Sequence, residues 1–457
     1  MKINAIVLAA GKGTRMKSKY PKVIHKLLDK PMIMHVIANL KKANVSNIIS
    51  VVGYQAELVK EVVKEESQYA YQNEQLGTGH AIMVVEELLK DQQGLTIVIC
   101  GDTPLISSET IEALIEHHLH HKNSATILTG VLDDALQYGR IIRDENNNVK
   151  EIVEYKDADD TIKQIKEFNT GTYIFDNQIL FNLINQLDND NAQNEYYLTD
   201  IIAIMYQNKL KVDGCILNDL EETIGINDRK TLAYAQKIMQ EKINDKLMAN
   251  GVSIIDPAST YIGSDVTIGA DTIIKANTHL YGPTSIGEDC LIGPNTEIVN
   301  SIILDNTTII HSHVHDSTIK NNVKIGPYAR LRQHCVIEDD VNIGNFVEFK
   351  KTVFGKRSKS AHLSYLGDSI VGNDVNIGCG SITVNYDGKA KHQTIIEDNV
   401  FVGCNSNLIA PIKIEANAVI AAGTTVTNDV PSESLAIGRV RQEIKNDFST
   451  KFKPEDK

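Results

Sequence analysis

Four stretches of the chain combine residue types that can do chemistry. The first is Leu8-Ala9-Ala10-Gly11-Lys12-Gly13-Thr14-Arg15-Met16, which closes an apolar run. Its two glycines let the backbone approach a phosphate or a base, while Lys12 and Arg15 supply charge. Met16 stands where a dinucleotide fingerprint needs a third glycine, and the G-x-x-x-x-G-K spacing of a Walker loop is absent. The second stretch, 96–102, is an apolar strand ending in Asp102. Ligands collect beyond the carboxyl ends of strands in open α/β sheets, so Asp102 is placed to hold a divalent cation. The third, 349–371, carries Lys350, Lys351, Lys356, Arg357, Lys359, His362 and Tyr365. The fourth, 377–396, carries Asn385-Tyr386-Asp387-Gly388 with Lys389 and Lys391. Two cation-rich segments close together, in a chain of net charge −13, suggest an anionic ligand.

The elements that must position these residues obey two different periods. Up to about residue 225, short Ile- and Val-rich runs (5–10, 48–52, 96–100, 126–128) alternate with amphipathic stretches such as 32–42 and 110–120. That alternation predicts an α/β domain with a mostly parallel, Rossmann-like sheet. The second half repeats in six. Ile262, Ile268, Ile274, Leu280, Ile286, Ile292, Ile298, Leu304 and Ile310 are evenly spaced, and Ile319, Ile325, Leu331, Ile337 and Ile343 follow a three-residue slip. Ile396, Val402, Leu408, Ile414, Ile420 and Val426 resume the period beyond two longer interruptions. Inward aliphatic residues at this spacing predict stacked coils sharing one core, a parallel β-helix. The two interruptions, which hold the cationic segments, are expected to be loops projecting from it. Residues 228–249 read as one helix with an apolar stripe at Leu232, Ala235, Met239, Ile243 and Leu247.

Composition narrows the function classes. The 457 residues suffice for two or three domains, and 42% hydrophobic with 23% charged residues is ordinary for a globular protein. The negative balance argues against a nucleic-acid or anionic-membrane partner. Six cysteines without a C-x-x-C pair exclude the common zinc-ribbon and thioredoxin spacings, and reduced thiols in the cytoplasm are the expectation. The apolar run 5–10 is too short for a signal peptide, and no membrane span is expected. His117, His118, His120 and His121 read as the solvated flank of a helix. His311, His313 and His315 would share one side of a strand and could hold zinc, but their position at the slip favours a loop.

The string L-A-A-G-x-G-T-R-M-x-S-x-x-P-K, from Leu8 to Lys22, resembles the signature of sugar-1-phosphate nucleotidyltransferases. Gln72, Gly77-Thr78, Gly101-Asp102, Tyr138-Gly139-Arg140, Glu154, Asn169-Thr170-Gly171 and Gly225-Ile226-Asn227 also match, in order. The likeness runs through the β-helix to about Arg441. The whole chain is therefore similar to the bifunctional N-acetylglucosamine-1-phosphate uridyltransferase and glucosamine-1-phosphate N-acetyltransferase family, which serves cell-envelope precursor synthesis. The resemblance implies a uridyltransferase domain at 1–226, a linker helix at 227–250, a left-handed β-helix acetyltransferase domain at 251–445, a flexible tail at 446–457, and a homotrimer.

Site roles follow from the resemblance residue by residue. Leu8, Ala9, Ala10, Gly11, Gln72, Gly77 and Thr78 would contact the uridine nucleotide of UTP, with Arg15 and Lys22 on its phosphates. Gly139, Glu154 and Asn169 would hold the sugar of N-acetylglucosamine-1-phosphate, and Asp102 and Asn227 would bind Mg²⁺. In the second domain, Arg332, Lys350, Tyr365, Asn376 and Lys391 would grip glucosamine-1-phosphate. His362 matches the general base that takes a proton from the attacking amine, work for which histidine is the best-suited side chain near neutral pH. Cys379, Asn385, Tyr386, Cys404, Ala422 and Arg439 would contact acetyl-CoA. Cys379 stands where a small residue such as Ala is usual, and Cys404 where Ser is usual. Two other readings stay open on the residues: a nucleotidyltransferase whose β-helix only assembles it, and a nucleotide-sensing scaffold without turnover.

Overall fold

Strand β1, Ile3–Ala9, occupies the middle of a nine-stranded sheet in the first of two units, Met1–Met239 and Gln240–Lys457. The coordinates are a computed structural model that describes residues 1–452. In chain order the first unit contains α1 Met32–Lys42, β2 Asn47–Val52, β3 Gln68–Tyr71, α2 Thr78–Met83 and β4 Leu95–Cys100. It continues with α3 Ser108–His121, β5 Ala125–Val131, β6 Arg140–Arg143, β7 Val149–Val153, β8 Glu167–Asp176, α4 Asp200–Gln207 and β9 Val212–Ile216. The sheet order is β9-β5-β8-β4-β1-β2-β3. Only β8 on this path runs antiparallel to its neighbours β4 and β5. Hairpin β6–β7 branches from β8 through Phe168 opposite Arg140. Central strands read as unbroken apolar runs because helices cover both faces, leaving Ala5, Ile6, Val7, Ile97, Val98 and Ile99 fully buried.

One of the four helix histidines departs from the solvated flank expected of them. His118 of α3 is buried, its Nδ1 within 2.9 Å of Thr126 Oγ1 on β5. It lies on the apolar side with Ile111, Leu114 and Ile115, all buried. Burial pushes its pKa down to about 4, against an opposing pull from Asp176. The folded value thus lies below the unfolded one of about 6.5. This contribution to stability is complete above pH 6.5 and is lost as pH falls through about 4, because the unfolded chain takes up the proton first. Urea unfolding should therefore show a midpoint that drops from pH 6.5 to 4, with a shallower drop in His118→Gln. An equal slope in the two proteins would assign the titration elsewhere.

Helix α5, Arg229–Ala249, spans the division between the units. In the first unit Ala235 and Ile238 pack with Leu27, Met32, Leu105 and Ile226. In the second, Ile243, Leu247 and Met248 pack against the β-helix core. Buried Gln240 and Asn244 donate their amide N–H groups to the carbonyls of Pro257 and Thr260, while Asn244 Oδ1 is buried without a hydrogen-bond partner.

The second unit is a three-faced parallel β-helix whose faces hold eleven, ten and nine strands among the described residues. Ile274 pairs with Ile292 and Leu280 with Ile298, each 18 residues on, so three hexapeptides make one coil. Corners turn through left-handed residues such as Asp271, Asn277, Asp289, Asn295 and Asn306, the side chains that tolerate this conformation best after glycine.

Two sequence expectations are corrected here. The slip near residue 310 is spread over three shortened steps. Ile303, Ile309 and Val314 enter the core, while Leu304 and Ile310 are only half-buried. Runs such as Ile302-Ile303-Leu304 offer an aliphatic side chain in either phase, so coil length decides which one turns inward. The expected loop at 349–371 does not exist. Phe349, Phe354, Ser360, Leu366 and Val371 take successive inward positions, and the coil continues unbroken. Two aromatics and a serine in aliphatic slots hid the period. The fourth stretch does project: between strands Ser381–Val384 and Thr394–Ile396 a loop carries the antiparallel bridge Tyr386–Lys391. Phe448–Phe452 form a 3-10 turn, and 453–457, the rest of the expected flexible tail, lie outside the described residues.

Candidate functional sites

Beyond the carboxyl ends of β1 and β4 lies a cavity of about 240 Å³. Its lining includes Leu8, Ala9, Ala10, Gly11, Lys22, Gln72, Gly77, Thr78 and Asp102. Gly13 has a φ of +61°, and a Cβ there would stand 2.5 Å from Lys22 Cβ, so the glycine lets the loop fold back onto Lys22. Lys22 Nζ forms an ion pair with Asp102 and donates to Asn227 Oδ1 at 2.9 Å. Asn227 arrives because Ile226 N donates to the Asp102 carbonyl at 2.9 Å. Two hard oxygen donors thus converge on one cationic position, a donor set suited to Mg²⁺. Gln72 is buried, and its Nε2 donates to the Gly77 carbonyl at 2.9 Å, fixing the turn before α2. Arg15 stands exposed in the turn Thr14–Met16 and does not line the cavity.

Gly139, Glu154 and Asn169 form an adjoining cluster. Asn169 N donates to the Gly139 carbonyl at 2.9 Å, and a Cβ on Gly139 would lie 3.5 Å from Glu154 Oε2. A Cβ on Gly171 would lie 3.8 Å from the Sγ of Cys100, which lines the cavity. Burial lifts the Glu154 carboxyl above its ordinary range, opposed by the hydrogen bond from Thr199 Oγ1 at 3.2 Å. Burial also pushes the Cys100 thiol up to about 12, which removes it as a nucleophile. Arg140, matched beside Gly139, is fully buried and donates to the carbonyls of Ala135 at 3.2 Å and Leu136 at 3.0 Å. It ties down the loop before β6. Sequence reading missed Gln75 and Glu195 in the cavity wall. Gln75 lies between two matched residues, which was a usable signal; Glu195 is brought in only by the fold.

In the second unit, Arg332 and Lys350 are neighbours across paired strands on the outside of one face, and Tyr365 lies one rung further. Arg332 Nη1 pairs with Glu348 Oε1 at 2.7 Å. The Lys350 ammonium is held below its ordinary range chiefly by Lys391, which reaches it from the projecting loop. Two facing ammonium groups make a receptacle for an anion. Asn385 is buried and donates to Asp368 Oδ2 at 2.5 Å, while a Cβ on Gly367 would meet Tyr365 Oη at 2.4 Å and Asn385 Nδ2 at 2.6 Å. Lys356 and Arg357 are engaged by Asp339 at 2.9 Å and Asp374 at 2.6 Å, so these two cations belong to the scaffold. Asn376 projects from a different face, beside Lys359.

His362 is exposed at the corner between strands Lys359–Ser360 and Ser364–Gly367. That corner recurs in each following coil. Gly380 N donates to the Leu363 carbonyl at 2.6 Å, Asn405 N to that of Cys379 at 2.7 Å, and Gly423 N to that of Cys404 at 2.8 Å. Arg439 Nη1 then donates to the Ala422 carbonyl at 2.9 Å. His362, Cys379, Cys404, Ala422 and Arg439 consequently line a single edge of the prism. Tyr386 is exposed on the loop, its hydroxyl donating to the Gly388 carbonyl at 2.8 Å.

A strand-end phosphate pocket in one unit and a cationic face and edge on a hexapeptide coil in the other define a two-site transferase. Residues 4–221 match the nucleotidyl transferase family, 243–356 the GMPPB C-terminal domain, and 393–428 the hexapeptide repeat of succinyl-transferase. The chain is 54% identical to the bifunctional protein GlmU of Geobacillus sp. strain WCH70, over 97% of each protein. It is 52% identical to that of Exiguobacterium sibiricum over 97% of this chain and 99% of the relative. It is 49% identical to that of Listeria monocytogenes over 96% of each. The chain belongs to the bifunctional GlmU family. It is an enzyme with uridyltransferase and acetyltransferase domains, the second a left-handed β-helix.

Proposed function

We propose that this chain makes UDP-N-acetylglucosamine in two steps, at the two sites just described. The β-helix transfers acetyl from acetyl-CoA to glucosamine-1-phosphate, and the N-terminal domain joins the product to UTP with release of pyrophosphate. The observation that carries the reading is the convergence of Leu8–Gly11, Lys22, Gln72, Gly77, Thr78 and Asp102, from separate segments, on one cavity.

In uridyl transfer, a phosphate oxygen of N-acetylglucosamine-1-phosphate attacks the α-phosphorus of UTP and pyrophosphate leaves. The chain positions both phosphates and needs no nucleophile of its own. Gln72, Gly77 and Thr78 hold the uridine, Gly139, Glu154 and Asn169 the sugar, and Lys22 with Arg15 the negative charge. Asp102 and Asn227 would hold Mg²⁺, which would supply further neutralisation of the phosphates.

In acetyl transfer, Arg332, Lys350, Tyr365 and Lys391 hold the sugar phosphate, and His362 takes the proton from the attacking amine. The amine then bonds to the thioester carbonyl carbon and the CoA sulfur leaves, receiving the proton. CoA lies along the edge of Cys379, Cys404, Ala422 and Arg439, with Asn385 and Tyr386 beside it. Backbone carbonyls form the ladder at Cys379 and Cys404, so both departures from the usual Ala and Ser are tolerated. A homotrimer, with the Asn376 face of one copy against the Lys350 face of the next, would complete the acceptor site. No helix among the described residues is long and apolar enough to cross a membrane.

The test uses the parent chain. Acetyl-CoA and glucosamine-1-phosphate should release thiol without UTP, and UTP with N-acetylglucosamine-1-phosphate should release pyrophosphate. Pyrophosphate release alone would reduce the β-helix to an assembly scaffold.

A further inference from the structure

The histidines expected in a loop form a strand, His313–His315, on the outside of the β-helix, while Val314 between them is fully buried in its core. Strand alternation therefore points both imidazoles outward on one side. Glu297 lies directly opposite His313 on the preceding strand, and Val299 opposite His315. His315 Nε2 stands 2.7 Å from Glu297 Oε1, and His313 Nδ1 stands 3.6 Å from that same oxygen. One potential ligand atom from each of the three residues falls within 4.8 Å of the others. They open onto a cavity of about 480 Å³ that Arg330 and Arg332 also line. His311 is outside the group, in a left-handed corner position.

We propose that Glu297, His313 and His315 form a binding site for a transition-metal dication of the zinc class, separate from the Mg²⁺ position in the nucleotidyltransferase domain. Two imidazoles select zinc over Mg²⁺ or Ca²⁺, which take all-oxygen sets. Ligand distances of roughly 2.0–2.2 Å put the donors of one zinc ion roughly 3–3.5 Å apart, so small side-chain rotations bring these three atoms into place. Three protein ligands leave a fourth position open to the cavity for water or an anion. The scaffold is rigid where it matters, because both histidines flank one buried core residue. A second group, His117, His121 and Asp213, has the composition of a site. There, however, Asp213 Oδ1 accepts from Gly214 N at 2.8 Å and His121 Nδ1 sits 2.9 Å from the His117 carbonyl of its own helix, engagements that Glu297 and His313 do not share.

The experiment is calorimetric titration of the chelator-treated full chain with Zn²⁺ in excess Mg²⁺, which keeps the Asp102 and Asn227 position occupied, in a Cys379→Ser/Cys404→Ser background that removes the exposed thiols. One equivalent should bind. In His315→Ala its affinity should fall by more than the ~10- to 100-fold typical of losing an outer-shell partner, and in Glu297→Gln it should also weaken. His117→Ala/His121→Ala should leave it unchanged. Binding that survives in folded His313→Ala/His315→Ala, that follows His117 and His121, or that is absent from the parent overturns the proposal. Should the alanine pair misfold, His313→Asn/His315→Asn serves the same purpose. Cobalt in place of zinc should give the visible spectrum of a nitrogen–oxygen site; a thiolate charge-transfer band would overturn it too.

Discussion

Asp102→Ala should lower uridyl transfer by at least ~10²- to 10³-fold, the loss that removal of one preorganised electrostatic partner produces. Acetyl transfer should be unchanged, because Asp102 belongs to the Met1–Met239 unit and the β-helix has a core of its own. The variant loses the proposed cation ligand and the carboxylate that pairs with Lys22, leaving Lys22 held by Asn227 Oδ1 at 2.9 Å. Asp102→Asn separates the two effects: it keeps the shape and removes the charge, so it should shift the Mg²⁺ dependence of pyrophosphate release to higher concentration. Both activities falling together in a folded Asp102 variant would contradict the division of labour between the units.

His362→Ala is the complementary case. Thiol release from acetyl-CoA should fall by ~10²- to 10⁴-fold, the usual contribution of a general base. Uridyl transfer should stay at the parent level. The imidazole is exposed, and the corner's backbone bond runs from Gly380 N to the Leu363 carbonyl, so stability should change by no more than about 0.5 kcal/mol. That makes lost activity attributable to chemistry. Unimpaired thiol release in this variant would remove His362 from the mechanism and direct attention to Asp368, which faces the same receptacle through Asn385.

The strand-end placement of Asp102 and the β-helix were both legible without coordinates, and for definite reasons. A buried strand must be apolar along its whole length, so β1 and β4 announce themselves and the residues that follow them lie at the sheet's edge. A coil of three hexapeptides must repeat its inward residue, so Ile274, Leu280, Ile286, Ile292 and Ile298 stand out. Legibility failed where several side chains satisfy one packing slot. Phe349, Phe354 and Ser360 fill core positions that the aliphatic pattern does not recognise, which made continuous coil look like a loop. His118 was misplaced for a related reason: one hydrogen bond to Thr126 lets a polar ring occupy the apolar face of its helix.

Within the sites the same division holds. Residue types and local spacing by themselves determined the glycine loop, the acid at the strand end, the repeating β-helix and the cation-rich segments, because each depends on neighbours a few residues away. Only the tertiary structure decided which of those groups meet. Lys22 reaches Asn227 across 205 positions. Lys391 finds Lys350, Lys356 and Arg357 are taken up by scaffold carboxylates, and His362 falls in line with Cys379, Cys404, Ala422 and Arg439. These are consequences of strand order and coil length, which sum small local choices over the whole chain. A shift of one residue in either moves a side chain to another face, so the meeting of distant charges is settled only when the core has chosen its register.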